Sequence, residues 1–376
     1  MARTFICTVG TSLVKNGEID IDKVKNDPID QINSTAAKRV REAIINRIDN
    51  SETDDARKNL SAELKSLMLC HPKLEPDDEI FLLYADNLEG RLCAEGIKQA
   101  LIEFVGYNQD DPNIILKRIA DLQVKSFNDF TRKGIRNLYK EVIAIIKDQG
   151  GEYNPNLILN ITGGYKAVVP YMTLLGFLYK KKIIYVFEED RSELITLPLL
   201  PLTYDEDLLF RARHFLKRLQ GEDILSATEF PKELEIDKAR YIPAIIEEEQ
   251  GLLTLTAFGE LLYERLDLDY PADLPTTSLA PKDKPFKMPT DAHHDNEYIE
   301  PVVRKMLESR YVEKFLRGEK GNSPEKKGIS KVGEDGEVTF NTGNSLGSRF
   351  TIKTSGRNPE ETRRIAEHLI KKGYLN

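Results

Sequence analysis

The chain has 376 residues, 40% of them hydrophobic and 31% charged, with a net charge of −8. That is an ordinary globular composition, long enough for roughly two or three domains with cores of their own. No apolar run is long enough to span a bilayer and no signal peptide opens the chain, so a cytoplasmic protein without membrane contact is expected. Cys7, Cys70 and Cys93 show neither CxxC nor Cys/His spacing; they suit a reducing compartment and indicate no metal site.

The first element, Thr4–Val9, is apolar and β-rich, as a buried parallel strand is, and it ends in Gly10-Thr11-Ser12. Residues 20–77 are polar with a helical pattern and predict an elaborated crossover of more than one helix. A strand over Ile80–Tyr84 follows, then a polar loop of Asp86, Asn87, Leu88, Glu89 and Gly90, then a helix. Further on, "LILNI" reads as a short buried strand, "TGGYK" as a loop, Ala167–Tyr179 as an apolar helix stopped by Lys180, Lys181 and Lys182, and "IIYVF" as the next strand. Gly163 and Gly164 sit where that helix begins. Unpaired backbone N–H groups and the positive end of the helix dipole favour an anion there, most simply a phosphate. A tight strand-to-helix turn is the other use of a Gly-Gly pair. In an open parallel sheet ligands bind beyond the carboxyl ends of the strands. Three strand ends with small, polar loops therefore predict a polar, nucleotide-like ligand.

This α/β region runs over 1–202 and closes in the prolines of "LITLPLLPL". Residues 203–268 read as a helical unit with a brief β-element, a winged-helix-like segment; "YIPAIIEEEQ" is taken as helix and "LLTLT" as strand. Its acidic sequence shows no basic recognition helix, so a spacer and dimer-stabilising role is expected before DNA binding. Residues 269–295 hold Pro271, Pro275, Pro281, Pro285 and Pro289 and predict a semi-rigid extended linker. Residues 296–376 read as a small α+β module: a helix, strands with turns, and a last helix with Asn358 as N-cap, Pro359 at its first position and Gly373 at its end. Over 301–376 there are 16 Lys and Arg against 10 Asp and Glu, +6 on an otherwise acidic chain, which suggests a polyanionic partner for that end.

"FICTVGTSL", "YADNLEGRLCAE" and "ILNITGGYKAVVPYMTLLGFLY", with "RIADLQVKSFNDFTRKGIRNL" before the third, stand in the order and spacing of one family. Residues 1–202 resemble the CARF (CRISPR-associated Rossmann fold) domain of proteins that sense cyclic oligoadenylates in type III CRISPR antiviral defence. The resemblance implies a Rossmann-like domain with a parallel sheet, a homodimer, and cyclic tetra-adenylate as activating ligand across the two-fold axis. It implies that Gly10, Thr11 and Ser12, then Asn87, Glu89 and Gly90, then Asn160, Thr162, Gly163, Gly164 and Lys166 line the ring. Some relatives also cleave the ring without metal. There the residues matching Ser12 and Lys166 act, so these two are candidates for ring cleavage as well as for binding.

Sensors of this family commonly carry an effector, and three nuclease types can be weighed against residues 290–376. A HEPN ribonuclease would use an Arg…His pair such as Arg363 and His368, but those lie on a final helix after a β-rich stretch. A PD-(D/E)xK nuclease would need an acid where Thr351 stands before Lys353, and Asp335 and Glu337 read as turn residues. The size, the topology and the excess of cations resemble RelE-type mRNA interferases, metal-free ribonucleases that cut ribosome-bound mRNA. That resemblance makes Lys327, Lys331, Arg349, Lys353 and Arg357 the candidate catalytic cations, with Tyr374 as an outlier. The expectation is a ring-activated ribonuclease. A ring nuclease with a regulatory C-terminal module and a winged-helix transcription regulator are the alternatives.

Overall fold

The computed structural model describes residues 2–15, 19–24, 27–123, 129–151, 154–186, 193–200, 204–220, 225–271, 274–287, 296–320, 326–344 and 347–375. Residues 124–128 of the "RIADLQVKSFNDF" stretch and residues 272–273 and 288–295 of the proline-rich stretch lie outside these. The chain divides into two compact units, Met1–Leu266 and Asp267–Asn376.

In the first unit β1 (Thr4–Thr8), β2 (Glu79–Ala85), β3 (Ile114–Ile119), β4 (Leu157–Asn160), β5 (Lys182–Val186) and β6 (Leu194–Leu197) form one sheet in the order β3-β2-β1-β4-β5-β6. All pair in parallel except β6, which runs antiparallel on the edge beside β5. This is the doubly wound, Rossmann-like order, with its reversal between β1 and β4. Between β1 and β2 the chain forms α1 (Ser12–Lys15), α2 (Thr35–Asp49), α3 (Asp54–Lys58) and α4 (Ala62–Met68); α5 (Leu88–Val105) follows β2. Phe5, Cys7, Ile80, Leu82 and Tyr84 point to one face and share a core with Val40, Ile44 and Ile48 of α2, Leu64 and Leu67 of α4, and Leu92 and Ile97 of α5. The alternate residues Ile6 and Leu83 are just as buried, so both faces are covered. That is why these strands read as continuous apolar runs. Further along the chain come α6 (Ile135–Asp148) and α7 (Val169–Leu178).

The segment after the sheet corrects one expectation. It contains α8 (Glu206–Gln220), β7 (Leu225–Ser226), α9 (Lys238–Tyr241), β8 (Ile246–Glu249), β9 (Leu252–Leu255) and α10 (Ala257–Asp269). "IEEE", taken as helix, is strand β8 of a hairpin with β9. Gln250 and Gly251 both have positive φ, 52° and 76°, the backbone a two-residue hairpin turn needs. The glutamates are used at once. Arg132 bonds Glu247 at 2.6 Å and Glu249 at 2.5 Å, so the wing-like hairpin is tied to the π-helical segment Phe130–Gly134 that leads into α6.

The second unit holds α11 (Asn296–Leu307), β10 (Val312–Glu319), β11 (Gly328–Val332), β12 (Glu337–Asn341), β13 (Arg349–Thr354) and α12 (Pro359–Lys371). The four strands form an antiparallel sheet in the order β10-β13-β12-β11. Its buried residues Phe315, Val338, Phe340, Phe350 and Ile352 alternate with polar ones, and Ile299, Val303, Ile365 and Leu369 of the helices are buried too. The described part of the proline-rich stretch is not a free linker. Ser355 Oγ donates to the Pro275 carbonyl, Phe286 and Phe315 lie 5.6 Å apart, and buried Lys284 donates to the carbonyls of Leu307 and Ser309. Prolines stiffen this strap, but its contacts make it part of the second unit.

Candidate functional site

At the sheet reversal the loops after β1, β2 and β4 surround a cavity of about 420 Å³. Its wall includes Gly10, Thr11, Ser12, Asn87 and Gly90, with Thr162, Gly163, Gly164 and Lys166 from the third loop. Sequence motifs 75 residues apart thus meet because β1 pairs with both β2 and β4. Two expected ring contacts do not line the cavity. Glu89 is buried in the first turn of α5 rather than in a loop. Asn160 is buried on β4, where its amide accepts from Thr162 N–H and joins Ser66 and the Cys7 sulfur.

The loops hold one another closely. Thr8 Oγ1 donates to the Gly163 carbonyl at 2.6 Å. A Cβ on Gly10 would come within 2.7 Å of Gly164 N, and Gly164 itself has φ +93°. Asn87 caps α5 through Gly90 N–H at 2.7 Å, and its amide donates to the Tyr165 hydroxyl at 3.3 Å, linking the second loop to the third. Glycine is therefore needed for backbone-to-backbone contact and for left-handed geometry.

Five wall residues escaped the sequence reading: Val9, Lys15, Ala62, Ala85 and Tyr165. Lys15 stands three positions after Ser12, one helical turn on, and that spacing was a usable signal. Behind Ala62 stands Glu63, fully buried; it accepts from Gly10 N–H at 2.6 Å and from Ser12 Oγ at 3.1 Å. Ser12 Oγ accepts in turn from Ala62 N–H at 3.0 Å. Nothing in the local sequence links position 63 to position 12.

In the second unit the sheet face opposite the aromatic core gathers cations. Arg349, Thr351 and Lys353 of β13 alternate with the core residues Phe350 and Ile352. Register places Thr351 between Arg317 of β10 and Thr339 of β12, and Lys331 of β11 beyond Thr339. The Thr339 and Thr351 hydroxyls are 2.9 Å apart. Lys314 lies beside Lys353. Arg349, Lys353 and Lys331 thus share a face, joined by Arg317 and Lys314, which sequence reading missed. Glu337, read as a turn residue, begins β12 opposite Lys353. Lys327 stands just before β11, against Gly343. Arg357 lies past the end of β13, exposed, its backbone N–H donating to Glu361. Tyr374 follows α12, and His368 packs edge-on against Tyr311 at 5.3 Å.

Residues 58–200 match the family model described as CRISPR-associated protein (Cas_APE2256). The match contains the second and third loop motifs and bears out the CRISPR-associated resemblance they carried. The first loop and everything after residue 200 lie outside it. Among solved structures the chain is similar to Can2 from Sulfobacillus thermosulfidooxidans in complex with cyclic tetra-adenylate, at 14% identity over 93% of this chain and 74% of that one. The TM-score is 0.25, too low to establish a common fold. No helix among the described residues is long and apolar enough to cross a membrane.

Proposed function

We propose that the first unit binds a cyclic oligoadenylate, with cyclic tetra-adenylate as the ligand to test, and that this activates the second unit as a ribonuclease in type III CRISPR antiviral defence. The observation that carries this is the meeting of three loops from one doubly wound sheet around a cavity lined by hydroxyls and by two exposed lysines, Lys15 and Lys166. Cations there offset phosphate charge, while Thr11, Ser12, Asn87 and Thr162 offer hydrogen bonds to ribose and base. A two-fold symmetric ring can use the same loops from each of two protomers, which supports a homodimer.

The effector reading rests on the cationic sheet face. In a RelE-like cut the 2′-OH of RNA attacks its own 3′-phosphate, the 5′-oxygen leaves, and a 2′,3′-cyclic phosphate remains. Arg349, Lys353 and Lys331 would stabilise the extra negative charge of the phosphorane. No water needs activation in that step. Ribosome-bound mRNA is the expected substrate. Incubating the full chain with RNA, with and without ribosomes and with and without cyclic tetra-adenylate, tests both halves. Ligand-dependent RNA cleavage is the expected result.

Ring cleavage in the first unit is a second reading, because Ser12 and Lys166 line the same cavity. Loss of intact ring with no RNA cut under any condition would make it the main activity. DNA regulation has the hairpin against it, since its glutamates face Arg132.

A further inference from the structure

Ser12 has one proton to give, and the structure commits it. Its Oγ donates to Glu63 Oε2 at 3.1 Å and accepts from Ala62 N–H at 3.0 Å. A hydroxyl offers one donor and two acceptor lone pairs, so what remains for the cavity is a lone pair. Glu63 is itself fixed: it is fully buried, its other oxygen accepts from Gly10 N–H at 2.6 Å, and its carboxylate lies against Gly163, where a Cβ would fall 1.9 Å from Oε1. The carboxylate cannot turn away without giving up its bond from Gly10 N–H. A negative charge behind Ser12 also opposes a phosphate oxygen in front of it.

We infer that Glu63 is a positioning residue that turns Ser12 into an obligate acceptor, so that Ser12 reads a ribose 2′-OH of the ligand and not its phosphate. The inference rests on the cyclic oligoadenylate reading and deepens it. It assigns to one side chain of the crossover, 51 residues away from Ser12, the choice of a ribose ring over any ring lacking a 2′ donor.

The test compares binding of cyclic tetra-adenylate and its 2′-fluoro analogue, which keeps size and polarity but cannot donate. Titration calorimetry on the full chain reads both. The parent should prefer the 2′-OH ring by about tenfold, the worth of one well-placed hydrogen bond. In Glu63→Gln the amide oxygen still accepts from Gly10, while its NH2 donates to Ser12 and frees the Ser12 proton for the cavity. The preference should then vanish or reverse. Ser12→Ala should lose it while Glu63 keeps its bond from Gly10 N–H, which decides the matter even where Glu63→Gln does not fold. A preference retained in either variant, or absent in the parent, overturns the inference. A parent that binds neither ring overturns the ligand reading, and this inference with it.

Discussion

Gly163 has no side chain in a place where Glu63 fills the space, which changes what a Gly-Gly pair means here. The sequence reading kept two uses open, an anion cradle and a tight turn; the structure adds a third, clearance for the protein's own carboxylate. Gly163→Ala should therefore lower stability by about 1–3 kcal/mol, as overpacking does, and weaken ring binding at the same time. Thermal unfolding and ligand titration on one preparation check this, and an unchanged melting temperature would show that Glu63 is free to move. Lys166 is exposed, so its effect should be electrostatic and modest. Lys166→Ala should weaken cyclic tetra-adenylate binding by about tenfold, and by less at high salt. Equal affinity for parent and variant at low salt would remove Lys166 from the site.

At the scale of elements, periodicity located most strands and helices but misjudged "IIEEEQG". Four consecutive apolar-to-acidic residues suit either structure, and only pairing with β9 and the ion pairs to Arg132 make them a strand. The proline-rich strap was misjudged in the same way, because its anchors are distant carbonyls. Lys284 caps the end of α11 through Leu307 and Ser309, where a cation meets the negative end of the helix. Burial, with Arg310 nearby, lowers its pKa from 10.5 to about 8. The unfolded chain then holds more protons between about pH 8 and 10.5, so this lysine's contribution to stability improves as pH rises through that window. The stability of the parent relative to Lys284→Met should grow between pH 7.5 and 10. Denaturant titrations at several pH values measure it; a difference that stays flat would mean the amine is solvated.

For the whole molecule, the two proposed sites lie in separate compact units, so they should fail separately. Arg349→Ala or Lys353→Ala should lower the RNA-cleavage rate steeply, by about 3 kcal/mol for a cation at the phosphorane, with ring binding unchanged. Products ending in 2′,3′-cyclic phosphate are expected, with activity persisting in EDTA and raised by ribosomes. Activity that survives both substitutions but stops in EDTA would place the chemistry on a metal nuclease instead. The first unit should also form a homodimer. Light scattering that finds only monomer, with and without cyclic tetra-adenylate, would count against a ring shared across a two-fold axis.

Local sequence was enough for the Rossmann-like unit because a parallel sheet covered on both faces writes itself as apolar strands, and the loops around its cavity as small polar residues at their ends. It was enough, too, for the N-cap at Asn358 and the basic character of the last module. It could not show that Glu89 and Asn160 turn inward, since a polar residue beside a ligand loop looks the same whether it faces the cavity or the core. Nor could it bring Glu63 to Ser12, or Arg317 to Thr351 and Lys331 across four strands. Those neighbours are set by the crossover's path and by strand register. Both are decided when distant apolar faces pack together, not by the residues beside them in the chain.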